Sequence, residues 1–382
     1  MRIAFYAPLK PPDHPEPSGD RQIARLLIQA LRSRGHQVLL ASRFRSRDGA
    51  GDPLRQARLQ VLGAKLAQRL LRRWQALPPE QRPQAWLTYH LYHKAPDWLG
   101  PAVADCLGIP YLVVEASLAA KQAVGPWASG HAAAAAAVAR AEALICLNPD
   151  DEPGLRELLG ASPRLYRLAP FLDCRGLPSR SRSRRRRERL AARYRLDPSQ
   201  PWLVAVAMMR PGDKLASYAL LAAALARLRG RPWSLLVVGG GSAGQAVRAC
   251  LRRLGPGRVR YLGLLAPELV PRSLAACDLL VWPAVNEAFG MALLEAQAVG
   301  VPVVAGGGRG VSQVVAPGRG GVLVAPGDSG ALGRAVARLL ERPGLRCRLG
   351  NNARRWALAE RSVDQAGARL EAILQAVLQR RR

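Results

Sequence analysis

Two acids eight positions apart, Glu287 and Glu295, bracket the run Asn286-Glu287-Ala288-Phe289-Gly290-Met291-Ala292-Leu293-Leu294-Glu295-Ala296. An apolar segment ending at Trp282 precedes the run, and a helical pattern starts at Gly290. Amides at a helix start lack intrahelical partners and sit at the positive end of the aligned peptide dipoles. Gly290, Met291 and Ala292 therefore offer N–H groups suited to a phosphate, and the two carboxylates could accept hydrogen bonds from sugar hydroxyls. Periodicity alone leaves a second reading open, in which Glu287 is a capping acid and Glu295 a solvated helix residue.

Three other strand-to-helix loops carry suitable chemistry. Arg210 and Lys214 follow the apolar run Trp202–Ala207, and two cations four apart suit a diphosphate, whose charge grows as it leaves. Lys214 is one of only five lysines in a chain that otherwise uses arginine. Gly239, Gly240 and Gly241 follow Val237 and Val238 and would let backbone approach a ligand closely, although a glycine triplet alone also marks an ordinary turn. With that glycine loop goes Gly263-Leu264-Leu265, which closes the next strand. Near the start, Ser18-Gly19-Asp20-Arg21 leads from a proline-rich loop into the first helix.

A separate group sits in the first half. His90 and His93, in Tyr89-His90-Leu91-Tyr92-His93-Lys94, follow a short strand and are placed to meet an acceptor or a phosphate. Glu115, just after the strand Pro110–Val114, and Lys121 are further polar candidates. An exposed surface histidine is the plain alternative for the first pair.

These loops need elements to hold them. Strand, loop, helix and strand succeed one another from Ile3 to Ala41, which is a βαβ unit and requires a parallel sheet. Further strands fall at 86–88, 110–114 and 143–146. The second half repeats the alternation with strands at 202–207, 234–238, 259–262, 279–282, 301–305 and 321–324. Between them PSRSRSRRRRERL, residues 178–190, reads as an exposed connection of self-repelling arginines. The boundaries expected are a Rossmann-like domain over 1–175, a basic linker over 176–198, a second Rossmann-like domain over 199–355 and a C-terminal helix over 356–382 that could pack back on the first. In parallel α/β sheets ligands bind beyond the carboxyl ends of the strands, where all four loops lie.

With these residues in place a resemblance can be stated. NEAFGMALLEAQAVGVPVVA resembles the E-x7-E motif of family 4 glycosyltransferases of the GT-B fold, with Glu287 and Glu295 as its acids. Arg210 and Lys214 resemble that family's donor clamp, the glycine loop resembles its VGxG element, and Gly19 matches its first phosphate-facing loop. The resemblance implies an α/β GT-B architecture of two Rossmann-like domains facing each other across a cleft. It implies a catalytic set of Glu287, Arg210 and Lys214, and donor contacts from Gly19, Gly239, Gly240, Leu265, Phe289, Gly290, Met291, Ala292 and Glu295. A nucleotide-sugar would be the substrate, with no separate cofactor and no metal, and the anomeric configuration would be retained. Many relatives carry a histidine just after the strand at 110–114, where this chain has Glu115-Ala116-Ser117. On the acceptor side, His90, Glu115 and Lys121 would be the candidates to face a glycan or lipid-linked acceptor.

Composition narrows the alternatives. The chain has 382 residues, and 57 Lys and Arg against 27 Asp and Glu give a net charge of +30. Such a charge attracts polyanions, yet 5% aromatics and no recognisable module argue against specific nucleic-acid binding. Six scattered cysteines without metal spacing read as free thiols of a reducing compartment, mostly small core residues. No signal peptide and no spanning segment is expected, which suggests a cytoplasmic protein. Residues 55–77 alternate apolar and basic faces, so an anionic membrane surface and a sheet-covering role are both open. A sugar-nucleotide epimerase on the same fold and a non-enzymatic polyanion-binding protein are the competing functions.

Overall fold

Strand segments such as Trp202–Val206, Leu279–Trp282 and Val303–Gly306 are apolar along their whole length, the pattern required when helices cover both faces of a parallel sheet. The computed structural model describes every residue except Pro17, Ala161, Ser162, Pro317 and Arg382, and leaves aside the side chain of Arg182. Pro17 of the first loop and Arg382 of the arginine tail thus lie outside the described residues. Two compact units emerge, one of residues 1–171 and 363–382, the other of residues 172–362.

The first unit holds strands β1 (Arg2–Tyr6), β2 (Gln37–Ser42), β3 (Ala85–Tyr92), β4 (Tyr111–Ser117), β5 (Ala143–Cys146) and β6 (Leu165–Arg167), ordered β2-β1-β3-β4-β5-β6 and parallel throughout. Helices α1 (Gly19–Ser33), α2 (Pro53–Gln75), α3 (Gly100–Leu107), α4 (Ala128–Arg140) and α5 (Glu152–Leu159) connect them. Ser18 caps α1 by accepting from the Arg21 amide at 3.2 Å, and Asp52 caps α2 in the same way. The proline-rich loop before α1 is pinned by arginines of that helix: Arg21 donates to the carbonyls of His14 and Pro15, and Arg25 to that of Pro12. Trp86 packs edge-on against Tyr6 and Trp74, and buried Asp97 beneath them accepts from Thr88, Tyr111 and two backbone amides.

Strands β3 and β4 run further than the sequence suggests. His90 and Glu115, expected beyond strand ends, lie inside them. Both have left-handed backbones, φ 62° and 59°. Pairing runs Tyr89 with Val114 and resumes at Leu91 with Ala116, so the two irregular residues are neighbours on adjacent strands. A matched irregularity keeps the ladder in register, whereas an unmatched one shifts it by a residue, as happens between β1 and β2 at Phe5 and Tyr6.

The second unit has β7 (Trp202–Val206), β8 (Ser234–Val238), β9 (Val259–Gly263), β10 (Leu279–Trp282), β11 (Val303–Gly306) and β12 (Gly321–Val324), ordered β12-β11-β10-β7-β8-β9. Its helices are α6 (Arg184–Tyr194), α7 (Asp213–Ala226), α8 (Gly244–Arg252), α9 (Leu269–Ala275), α10 (Met291–Ala298), α11 (Val311–Val314), α12 (Ser329–Glu341) and α13 (Pro343–Glu360). Buried Gln297 on α10 bonds the carbonyls of Leu293 and Val314 and the amide of Ala316, fixing that helix to the segment beyond α11.

Three expectations change. The basic stretch is no free connection: it forms a 3-10 turn at Arg180–Arg182 and helix α6, and Arg180 and Arg187 both bind the buried Asp278. The helix expected over 356–382 is interrupted at Arg361 and Ser362, so that α13 stays in the second unit while α14 (Val363–Arg380) packs on α1, as the expected return to the first domain requires. There Gly367 passes so close to α1 that a Cβ would stand 2.6 Å from the Ala30 carbonyl. Finally, only Cys146 and Cys277 are buried, whereas Cys106 and Cys347 are exposed; all six are free.

Candidate functional site

The loop after β10 is built around one ion pair. Lys214, in the first turn of α7, places its ammonium on Glu287 Oε2, and the Trp282 indole donates to the same oxygen at 3.2 Å. The ammonium also lies 5.7 Å from the Trp282 ring centroid, an arrangement that favours a cation. Two further ties fasten the loop to α7: Asn286 Nδ2 donates to Asp213 Oδ1 at 2.9 Å, and the Val285 amide to Ser217 Oγ at 3.1 Å. Ala284 and Asn286 hold left-handed backbones, φ 56° and 46°, at a cost of about 1–3 kcal/mol each that these bonds must offset.

Gly290 completes the loop at φ 72° and leads into α10 without a side-chain cap. A Cβ on it would come within 2.9 Å of Leu293 Cδ1 and 3.3 Å of Glu287 Cγ. Lys214, Trp282, Glu287, Gly290, Met291 and Ala292 line a cavity of about 100 Å3. It joins one cation, one carboxylate and the uncapped start of a helix, which together suit an anion bonded to a polyol.

The other candidates of this unit fall nearby in the fold with different roles. Arg210 is exposed, and among the described residues its guanidinium has no hydrogen bond or ion pair, so the structure does not join it to Glu287. Gly239 and Gly241 are demanded by close backbone contact: a Cβ on them would lie 1.9 Å from the Ala207 carbonyl and 2.4 Å from that of Met209. Gly240 has no such neighbour; its carbonyl accepts from the Met209 amide. Phe289 is buried, Leu265 half-buried after β9, and Glu295 half-buried and not without a partner.

In the first unit the carboxyl edge of the sheet gathers a second constellation. His90 Nδ1 lies 3.0 Å from Asp20 Oδ1, in the first turn of α1 directly after Gly19. Glu115 Oε2 and the Tyr89 hydroxyl are buried without hydrogen-bond partners. Burial disfavours the imidazolium, but Glu115, Asp20 and Asp151 outweigh it and raise the His90 pKa. Burial likewise lifts Glu115 and Asp151, with neighbouring acids adding to it, while Asp20 overcomes its own burial through His90 and falls below its ordinary range. Such a group can hold and pass a proton closer to neutrality than isolated carboxylates can. Lys121 is not part of it: exposed on the turn Ala120–Gln122, it joins burial, Lys94 and His131 in lowering His93.

Sequence reasoning missed Asp213, Ser217 and Trp282 around Glu287, and Asp151 beside His90. Position at strand ends was the available signal for Trp282; the others had none. Among the described residues no group of three His, Cys, Asp or Glu side chains is arranged to hold a metal ion.

Comparison with known proteins adds three findings. The family described as Glycosyl transferases group 1 matches residues 200–342. The chain is 30% identical over 253 residues to an alpha-D-kanosaminyltransferase of Streptomyces kanamyceticus, covering 65% of this chain and 63% of that one. It is 34% identical over 235 residues to a D-inositol 3-phosphate glycosyltransferase of Salinispora tropica, covering 58% and 48%. The chain thus spans between about half and just under two thirds of these relatives' length. Among solved structures it is similar to HepE of Anabaena in complex with UDP and glucose, with a TM-score of 0.71, 19% identity and coverage of 98% and 99%. At that identity the likeness establishes the fold, which is GT-B.

Proposed function

We propose that this chain, which belongs through residues 200–342 to the group 1 glycosyl transferases, moves a sugar from a nucleotide-sugar donor to a glycan or lipid-linked acceptor. The observation that carries the reading is the Lys214–Glu287 pair set against the uncapped start of α10. Glu287 would bond hydroxyls of the transferred sugar, while Lys214, Arg210 and the amides of Gly290, Met291 and Ala292 would meet the donor's diphosphate. The UDP and glucose held by the Anabaena protein support a donor of this class.

In the reaction the anomeric C–O bond to the diphosphate breaks, the electron pair leaving with the phosphate oxygen, and an acceptor oxygen bonds the same carbon from the same face. The acceptor's proton passes to the departing phosphate. Cations and amides offset the charge that grows there, so catalysis is electrostatic, proceeds with retention and needs no metal. The His90 constellation would bind the acceptor side. Neither an epimerase nor a non-enzymatic polyanion binder gains support from the residues around Glu287.

No helix of the described residues is long and apolar enough to cross a membrane. Helix α2 buries Gly63, Ala67 and Trp74 against the first unit and turns Leu54, Val61 and Leu62 outward among exposed Arg58, Lys65, Arg69 and Arg72. That outer face suits a peripheral place on the inner leaflet of a cytoplasmic membrane; equal flotation with neutral and anionic liposomes would rule the placement out. For the activity, nucleotide release is measured with a panel of nucleotide-sugars. Turnover with at least one donor, abolished by Glu287→Ala, is expected. No turnover with any donor, together with nucleotide binding untouched by that substitution, sinks the reading.

A further inference from the structure

Two arginine pairings leave the basic stretch before β7 with more charge than its acids balance. Arg180, Arg187 and Arg346 all converge on one buried carboxylate, Asp278, with Arg346 Nη2 the most distant at 3.9 Å. The Asp278 oxygens are fully used, since Oδ2 also accepts from the Trp202 amide at 2.8 Å. Arg346 is 8% exposed, and its pKa is lowered by burial and by repulsion from Arg180 and Arg187 that Asp278 does not cancel. The other acids of this face are exposed and engaged: Glu188 accepts from Arg184 Nε, and Asp197 from Ser199.

Next to this cluster lies a cavity of about 360 Å3 whose lining includes Arg180, Ser183, Arg184, Arg187 and Ser199, with the already engaged Asp278 at its wall. Helix α6 begins in it. Its first turn is Arg184-Arg185-Arg186-Arg187, with no acid, and the Ser183 hydroxyl donates to the Ser179 carbonyl instead of capping the helix. Four cations at the positive end of a helix reverse the charge preference of that position.

We propose that this cavity binds a phosphate-type anion, distinct from the donor's phosphates. The cavity lies at the amino edge of the second sheet, where the backbone enters β7 and β10, whereas Lys214 and Glu287 follow the carboxyl ends of those strands. Arg187 contributes mainly charge, four of its five N–H donors being spent on the carbonyls of Pro198, Gln200 and Ala276 and on Asp278. Arg180 uses Nε on the Cys277 carbonyl and Nη2 on Asp278, which leaves Nη1. Arg184 uses only Nε, so both of its terminal nitrogens and the first amides of α6 complete the donor set. The anion closes the circuit between α6 and Asp278. Its source is either free phosphate or a phospholipid headgroup, which share this chemistry.

The test uses the full chain, titrated with inorganic phosphate at constant ionic strength while thermal unfolding is followed, together with Arg184→Gln and Arg210→Ala. Arg184 is an exposed residue whose one ion pair is of the weak i,i+4 kind, so Arg184→Gln should leave the phosphate-free Tm unmoved. Saturable stabilisation is expected in the parent and in Arg210→Ala, with the midpoint raised about tenfold or more in Arg184→Gln. In a second arm, binding to phosphatidylcholine vesicles with and without phosphatidic acid is compared. Loss of phosphatidic-acid binding in Arg184→Gln, without stabilisation by free phosphate, assigns the anion to a headgroup and also supports the site. Identical midpoints in the parent and Arg184→Gln, loss in Arg210→Ala instead, or no response in either arm overturns it.

Discussion

Lys214 and Glu287, 73 positions apart in sequence, form an ion pair that also receives the Trp282 indole on the carboxylate. A cation suited to phosphate and an acid suited to a sugar hydroxyl thus hold each other before any ligand arrives. Each residue sets the other's position, and neither can be removed alone without leaving a half-buried charge.

Glu287→Gln should therefore lower kcat/KM by about 10²-fold, because the amide keeps the shape but neither pairs with Lys214 nor accepts as strongly. Lys214→Ala should cost a similar factor. Initial rates of nucleotide release for both single variants and the double variant are the check, and the double loss should fall well short of the product.

Among the glycines of the loop after β8, substitution should separate packing from ligand approach. Gly239→Ala drives a Cβ to 1.9 Å from the Ala207 carbonyl and should cost about 2 kcal/mol or more in urea unfolding. Gly240→Ala meets nothing nearer than Leu264 Cβ at 3.8 Å and should stay within about 0.5 kcal/mol of the parent. Any loss of nucleotide binding in the second variant then reports contact rather than folding.

The constellation around His90 gives stability a defined pH dependence. His90 has a raised pKa, so its contribution is full below the ordinary 6.5 and disappears as pH rises through the folded value. Glu115, also raised, acts in the same direction from the ordinary 4.5 upward. Asp20 is lowered, and its contribution is lost only when pH falls below the ordinary 3.8 through its folded value. Tm should decline as pH rises above the ordinary imidazole range in the parent and decline less in His90→Asn, a residue that tolerates the left-handed backbone. Equal slopes would show that His90 is not protonated by its neighbours.

Asp278 is the acid on which three arginines depend. Asp278→Asn leaves them facing one another and should cost about 3–5 kcal/mol by chemical denaturation. Raising salt should recover part of the loss, since the residual repulsion reaches solvent through the exposed side of the cluster.

Much of this was legible in the chain. Apolar runs punctuated by glycine and proline marked both sheets, and the run 286–296 declared its place between a strand and a helix. The inward extension of β3 and β4 was not legible, because left-handed backbones at His90 and Glu115 pair only once the strands are side by side. The arginines misled for a related reason. A repeat such as 178–190 reads as solvated linker until Asp278, almost a hundred residues later, supplies a buried partner.

What the sequence by itself determined was local: two parallel α/β units, and the loops after β7 and β10 as candidate places for phosphate and sugar. Periodicity and glycine placement act over a few residues, so they survive in one dimension. Tertiary structure alone decided strand order, the pairings of Lys214 with Glu287 and of His90 with Asp20, and which arginines of the +30 chain were spent on backbone carbonyls. The two side-chain pairings join residues 70 or more positions apart, and only an assembled sheet brings such partners within hydrogen-bond range.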